Sequence, residues 1–146
     1  MFIVFLEVQV DRETGKVDGL NMLGGTDCGQ GSDPSGLEMQ AQGGIGSASL
    51  ATATFEEHII DPGTGRTMTY DMIEYKWRPF NEFPKYETCF MESQFDTFQF
   101  KATGVGEIAG AAAASATLQA ISNAIGVQVA TYPATPDVIL KALGKI

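Results

Sequence analysis

Residues 101–115, KATGVGEIAGAAAAS, set one carboxylate, Glu107, between a glycine-spaced turn and a run of alanines. A carboxylate at the start of a helix has two readings. It can be a favourable partner for the positive helix end, contributing about 0.3–1 kcal/mol. It can also be a general base held against something that approaches closely. The flanking Gly104 and Gly106 suit close approach, because a backbone without Cβ atoms can pass near a ligand or another chain. Gln40, in LEMQAQGG with Gly43 after it, is a second polar candidate. By itself it reads as a polar residue on a helix whose other face is buried. His58 is the only histidine, so this chain alone builds no histidine triad or multi-histidine metal site, and a surface position at a strand edge is expected. Cys28 and Cys89 form neither a disulfide framework nor a CxxC pair. Cys28 has no cationic activator nearby in sequence and is expected as a small buried thiol, and Cys89 as a core residue of a strand. Tyr75, Trp77, Phe80 and Phe83 are expected in a core or an interface, with the border of a substrate funnel as the alternative.

The elements that must position these groups follow from pattern. Residues 2–10 end in alternation (Leu6, Val8 and Val10 against Glu7 and Gln9), which predicts a half-buried strand. DRETGKV then turns at Gly15, and Val17 to Leu23 return as the second strand of a hairpin. Residues 26–36, TDCGQGSDPSG, are loop. From Leu37 to about Glu57 the pattern predicts a helix rich in small residues (Leu37, Gln40, Ile45, Ala48, Leu50). DPGTGRT repeats the D-x-x-T-G-[KR] grammar of residues 11–16 and predicts a second hairpin turn. Mixed strand and loop over 67–79, a strand from Phe83 to Glu92, and a loop through Phe95, Phe98 and Phe100 lead to GVGE. Residues 107–125 give the clearest helix, with Ile108, Leu118, Ile121 and Ile125 on one stripe and Gly126 just past its end. A short strand at Val127 and Val129 follows. A last helix then starts with Thr135 as N-cap and Pro136 at the first position, running through Leu143. The sum is an α+β fold: a hairpin-rich mixed sheet with packed helices in two layers, one domain over 1–146.

Composition narrows the function classes. With 44% hydrophobic and 18% charged residues the chain is globular. A net charge of −9 argues against a nucleic-acid-binding surface, which would need clustered Lys and Arg. Residues 1–100 carry 16 acidic and 6 basic side chains and residues 101–146 carry 2 and 3, so the C-terminal part reads as interior or contact region. The first apolar run is six residues, too short for a membrane span and without a basic start or cleavage site, and two scattered cysteines fit a reducing cytoplasm. GGIG and GVG do not make a dinucleotide fingerprint, because no strand–GxGxxG–helix unit with a downstream acid is present.

Four ordered segments carry a resemblance: FLEVQVDRETGKV, DCG-x-x-x-DP, GVGE, and A-x-x-x-A-I-x-N-A-I-G…P-A-T-P-D-x-I-L-x-A-L. Together they resemble the C-terminal part of the molybdenum-cofactor-binding subunit of the xanthine dehydrogenase/aldehyde oxidase family of molybdenum hydroxylases. The resemblance implies that Glu107 is the active-site base. In the family this residue takes a proton from a molybdenum-bound hydroxyl, which attacks an aldehyde or N-heterocycle carbon while hydride passes to a sulfido ligand. A carboxylate in a largely apolar site has its pKa raised toward neutrality, which suits that task. It further implies that Gln40 and Gly43 lie beside the cofactor, and that Gly104, Val105 and Gly106 bring backbone N–H groups to it at the positive end of the following helix. Cys28 falls in a loop that the family places near the cofactor's far end. Molybdopterin in its cytosine dinucleotide form is the implied cofactor. The implied partners are the remainder of the molybdenum subunit, a 2Fe–2S subunit, an FAD subunit and a small-molecule substrate, with no nucleic acid and no membrane. Three departures stand out. Met39 replaces the family's glycine before Gln40, Gln42 stands where an acid is common, and Thr103 precedes GVGE where many relatives have lysine, with Lys101 two residues earlier. The last bears on substrate selection. The family subunit is several times longer, so the chain is expected to be a separately encoded piece or a cut-out domain, inactive alone. The rivals are a non-catalytic structural subunit and an unrelated small-molecule-binding α+β domain.

Overall fold

Strand β1 (Phe2–Val10) alternates along its whole length, with Phe2, Val4, Leu6, Val8 and Val10 turned inward and Ile3, Phe5, Glu7 and Gln9 outward. It pairs antiparallel with β2 (Val17–Asp27), from Phe2↔Thr26 to Val10↔Val17, with a bulge between Glu7 and Val8. The computed structural model describes residues 1–94, 96 and 99–146, those at 47–49 by backbone only. Phe95 and Phe98, expected in a loop, lie outside the described residues.

The hairpin turn closes as its sequence dictates. The Asp11 amide donates to the Lys16 carbonyl at 2.8 Å, the Gly15 amide to the Asp11 carbonyl at 2.8 Å, and Gly15 holds φ +75°. The repeated grammar at Asp61–Arg66 makes the same turn: the equivalent distances are 2.9 and 2.8 Å, Gly65 holds φ +71°, and Ile60 bridges Thr67. In both, the aspartate carboxylate accepts from the amide two residues on, at 2.8 and 3.1 Å. An Asp-Thr-Gly frame stabilises this turn locally, so it forms in different surroundings.

The second strand runs to Asp27, further than the Leu23 that its sequence suggests, because β3 (Lys85–Met91) pairs parallel with Asn21 to Asp27. The three-stranded sheet is therefore mixed, in the order β1-β2-β3. The helical region opens earlier than Leu37: α1 spans Pro34–Gly43, with Asp33 as N-cap and Pro34 in the first turn. It does not continue as one helix to Glu57. Gly44–Leu50 form a π-helical stretch, and a four-residue helix α2 (Ala51–Thr54) ends the region. Helices α3 (Ile108–Ile125) and α4 (Pro136–Ala142) complete the α+β architecture.

Two apolar clusters hold the layers together. One joins Val17 to Ile121, Ile125, Val129, Ala134 and Ile139. The other joins Met22, Ile45, Ala109 and Ala113, with Phe2, Val4, Leu6 and Tyr86 packed around them. The buried stripe of α3 is Ala109, Ala113, Thr117, Ile121 and Ile125, so the expected stripe is corrected at its first residue: Ile108 is 37% exposed. Small residues face inward because the π-helical stretch lies almost in contact with the helix. α3 is long and apolar enough to cross a membrane by length and composition, yet its stripe belongs to both clusters.

Three further expectations are corrected by the structure. No strand forms at Val127–Val129. The Val129 amide is bound by the Ser122 hydroxyl at 3.0 Å, a helix side chain in place of a strand neighbour. Cys89 is exposed and not core, because in β3 the inward face belongs to Tyr86, Thr88 and Phe90. Trp77 and Phe80 are likewise exposed, at 49% and 87%, so no core forms around Tyr75, Trp77, Phe80 and Phe83. Arg78 between them is fully buried. Its guanidinium lies 4.8 Å from the Phe55 ring and donates to the Val17 carbonyl (3.0 Å), the Thr54 hydroxyl (3.4 Å) and Glu82 (3.3 Å).

Candidate functional site

Glu107 is the N-cap of α3 (φ −106°, ψ −3°), one residue outside the helix proper, and its carboxylate makes no capping bond. The side chain is exposed and has no partner among the described residues. Among the described residues, none encloses it in the apolar wall that would suit a general base.

The segment leading to Glu107 is tied down at its two ends and bare between them. At the near end the Gln30 amide donates to the Lys101 carbonyl (2.8 Å), Gly29 bridges Ala102, and the Thr103 amide donates to the Cys28 carbonyl (2.9 Å). TDCGQG is thus stitched to KATGVG. Lys101 takes φ +54°, a left-handed backbone that non-glycine residues rarely adopt, and this redirects the chain into GVGE. At the far end the Gln40 side-chain nitrogen donates to the Gly106 carbonyl at 2.5 Å. Gln40 sits on α1, whose last residue is Gly43. Gln40, Gly43, Gly104, Val105, Gly106 and Glu107 therefore fall on three neighbouring pieces of chain: α1, the 101–107 segment and the start of α3.

Between the anchors, the amides of Gly104, Val105, Gly106 and Glu107 donate to no acceptor among the described residues. A Cβ added at Gly43, Gly104 or Gly106 would meet nothing within 4 Å, and none of the three has a positive φ. Among the described residues, neither local conformation nor packing calls for glycine at these positions. Free amides at a helix start, with glycines facing open space, fit a bulky anionic ligand lying against the backbone. A cleft of about 340 Å³ continues from them, lined by Cys28, Ser32, Leu37, Thr103, Gly104 and Val105. Cys28, 2% exposed, is a buried thiol in its lining. A larger hollow of about 690 Å³ along the strands, from Phe5 and Leu23 to Lys85 and Glu87, contains none of the candidate catalytic or cofactor-binding residues.

His58 is exposed, with its ring nitrogen 3.2 Å from the Thr67 hydroxyl, far from this chemistry in role. Among the described residues no three His, Cys, Asp or Glu side chains gather to hold a metal ion. Two features of the site had no signal in the sequence: the Gln40–Gly106 bond and the left-handed Lys101. The first joins positions 66 apart, and the second depends on the stitch to Gln30.

Comparison with known proteins gives one consistent picture. Residues 2–84 match the model of the molybdopterin cofactor-binding domain. The chain is 31% identical over 140 residues to the aldehyde oxidoreductase molybdenum-binding subunit PaoC of Escherichia coli strain K12, covering 95% of this chain and 19% of that one. It is 30% identical over 132 residues to the xanthine dehydrogenase molybdenum-binding subunit of Escherichia coli O157:H7, covering 90% of this chain and 17% of that one. The fold is similar to quinoline 2-oxidoreductase from Pseudomonas putida 86, with a TM-score of 0.85 and 26% identity over 94% of this chain and 18% of that one. It is also similar to the aldehyde oxidoreductase from Desulfovibrio desulfuricans, with a TM-score of 0.82 and 26% identity over 92% of this chain and 14% of that one. The chain spans about a fifth of the length of the curated relatives it matches.

Proposed function

The chain belongs to the molybdopterin cofactor-binding family of xanthine dehydrogenase/aldehyde oxidase-type molybdenum subunits, and from that premise we propose that it completes the cofactor site of a molybdenum hydroxylase and supplies its base, Glu107. One observation carries the reading. Gly104 and Gly106 face open space, and the amides from Gly104 to Glu107 donate to no acceptor among the described residues. When bound, the molybdenum–pterin group supplies the two-electron redox chemistry that oxidises the substrate carbon.

The residues of this chain have three tasks. The amides of Gly104, Val105, Gly106 and Glu107, with the positive end of α3 behind them, bind anionic parts of the group. Gln40 and the glycine at 43 border it from α1. The Glu107 carboxylate, unpartnered among the described residues, is free to accept a proton at an oxygen once the neighbouring polypeptide closes over it. The substrate is an aldehyde or an N-heterocycle, and the cofactor carries the cytosine dinucleotide form. The remaining molybdenum subunit, a 2Fe–2S protein and an FAD protein complete a cytoplasmic enzyme, within which residues 1–146 act as one molybdopterin-binding domain. Alone the chain is inactive.

Glu107→Gln in the assembled enzyme tests the proposal. The expected result is a loss of kcat of at least ~10²-fold with molybdenum content unchanged, the scale on which a general base acts. Near-normal turnover of the variant would remove Glu107 from the chemistry and leave the chain a structural subunit.

A further inference from the structure

We infer that Gln40 is a positioning residue for Glu107, a strut that fixes the peptide between Gly106 and Glu107 from the neighbouring helix. The inference rests on the reading of Glu107 as base and adds a task to the cofactor contact already assigned to Gln40. Its basis is the pattern of attachment along residues 101–107. The chain is fastened at Lys101 and Thr103 and re-enters regular structure at Ile108. Among the described residues, the only hydrogen bond made between those points is Gln40 Nε2 to the Gly106 carbonyl at 2.5 Å. Without it, Gly104 and Gly106 would be two freely turning residues within three positions of the base.

The bond is badly placed to serve global stability. Gln40 is exposed, and freezing a glutamine rotamer for one solvent-accessible hydrogen bond gains about as much as it loses. Its effect is therefore local: it selects one orientation of the 106–107 peptide, and with it the direction in which the Glu107 side chain leaves the backbone. Among the described residues, one N–H of the Gln40 amide is used. The second N–H and Oε1 remain available to a ligand at the same site, so one side chain couples ligand contact to base orientation.

The test uses nuclear magnetic resonance on the full chain together with turnover in the assembled enzyme. In the wild type, a coupling across the hydrogen bond from Gln40 Nε2 to the Gly106 carbonyl carbon is expected. Backbone order parameters for 104–107 should lie near those of rigid backbone, about 0.85. In Gln40→Ala, and in Gln40→Glu, which presents an acceptor to an acceptor, they should fall below about 0.6 while residues 117–125 stay rigid. In the assembled enzyme the same variants should lower kcat more than they change KM. Order parameters that do not move in either variant, or the absence of the coupling, would overturn the strut. The two readings fail separately. If Glu107→Gln keeps its turnover while Gln40→Ala still loosens 104–107, the strut stands and the base does not. The reverse pair of results removes the strut and leaves the base.

Discussion

Ala109 of α3 occupies the space that a side chain on Gly44 would need: a Cβ at Gly44 would lie 2.7 Å from that of Ala109. The π-helical stretch and the alanine-rich helix therefore approach as closely as backbones without bulk allow. This is the physical use of the alanine run after Glu107, since it seats the helix whose first amides form the site.

Gly44→Ala should accordingly cost about 1–3 kcal/mol, the usual range for a methyl forced into a packed contact. Gly104→Ala should leave stability almost unchanged, because its Cβ would meet nothing within 4 Å among the described residues. The same Gly104→Ala change should lower the pterin content of the assembled enzyme. Urea titration of both variants and cofactor analysis of the second check the contrast. Equal destabilisation by the two would contradict the packing described.

Lys101 provides a test of backbone strain. With φ at +54°, Lys101→Asn should be neutral or mildly stabilising, since asparagine tolerates the left-handed region. Lys101→Val should cost about 1–2 kcal/mol through its branched Cβ. Denaturant midpoints at constant slope read the difference.

Asp137 in the first turn of α4 accepts from the Thr135 hydroxyl (2.6 Å) and from Lys141 (2.9 Å). These contacts, the Thr135 bond first, hold its carboxyl down to about 2 from the ordinary 3.8. A lowered carboxylate adds stability at pH values above its unfolded pKa, and that share is lost as pH falls through the folded one. Between about pH 4 and pH 2 the wild type should lose stability that Asp137→Asn never had. A carbon-13 titration of the Asp137 carboxyl with its midpoint near 4 would contradict this.

Arg78 is a buried cation whose nearest carboxylate, Glu82, is partly exposed. Arg78→Ala should destabilise by about 3 kcal/mol, because the Val17 carbonyl and the Thr54 hydroxyl lose a donor and a cavity opens beside Phe55. Arg78→Lys should recover only part of that loss, since a single ammonium cannot serve the fork of contacts. Thermal unfolding of both variants measures it.

What the sequence showed well was whatever local chemistry decides. The twin Asp-Thr-Gly turns, Gly126 ending α3 at φ +75°, and Thr135-Pro136 opening α4 all follow from a few neighbouring residues. What it missed depended on distant partners. Alternation in β3 sets the period but not which face the helices cover, so the exposed side of Cys89 is not readable from the strand alone. The helix expected over 37–57 was interrupted because Gly44 and Ile45 must conform to α3, about 65 residues further on. For the site, Glu107 and its glycines were legible as a motif. The Gln40–Gly106 bond and the stitch between Cys28 and Thr103 were not, because no pattern within either segment points to the other.

The mixed sheet also imposes an order in time. β1 and β2 meet across a tight turn, a local event on the microsecond scale, whereas parallel pairing of Asn21 with Lys85 must first close a loop of 63 intervening residues. The site needs both sides of that closure: Cys28, Gln30 and Gln40 lie before β3, and Thr103, Gly106 and Glu107 after it. A nascent chain therefore has its hairpin long before it has a place for the cofactor, and the receptive surface is among the last features to form.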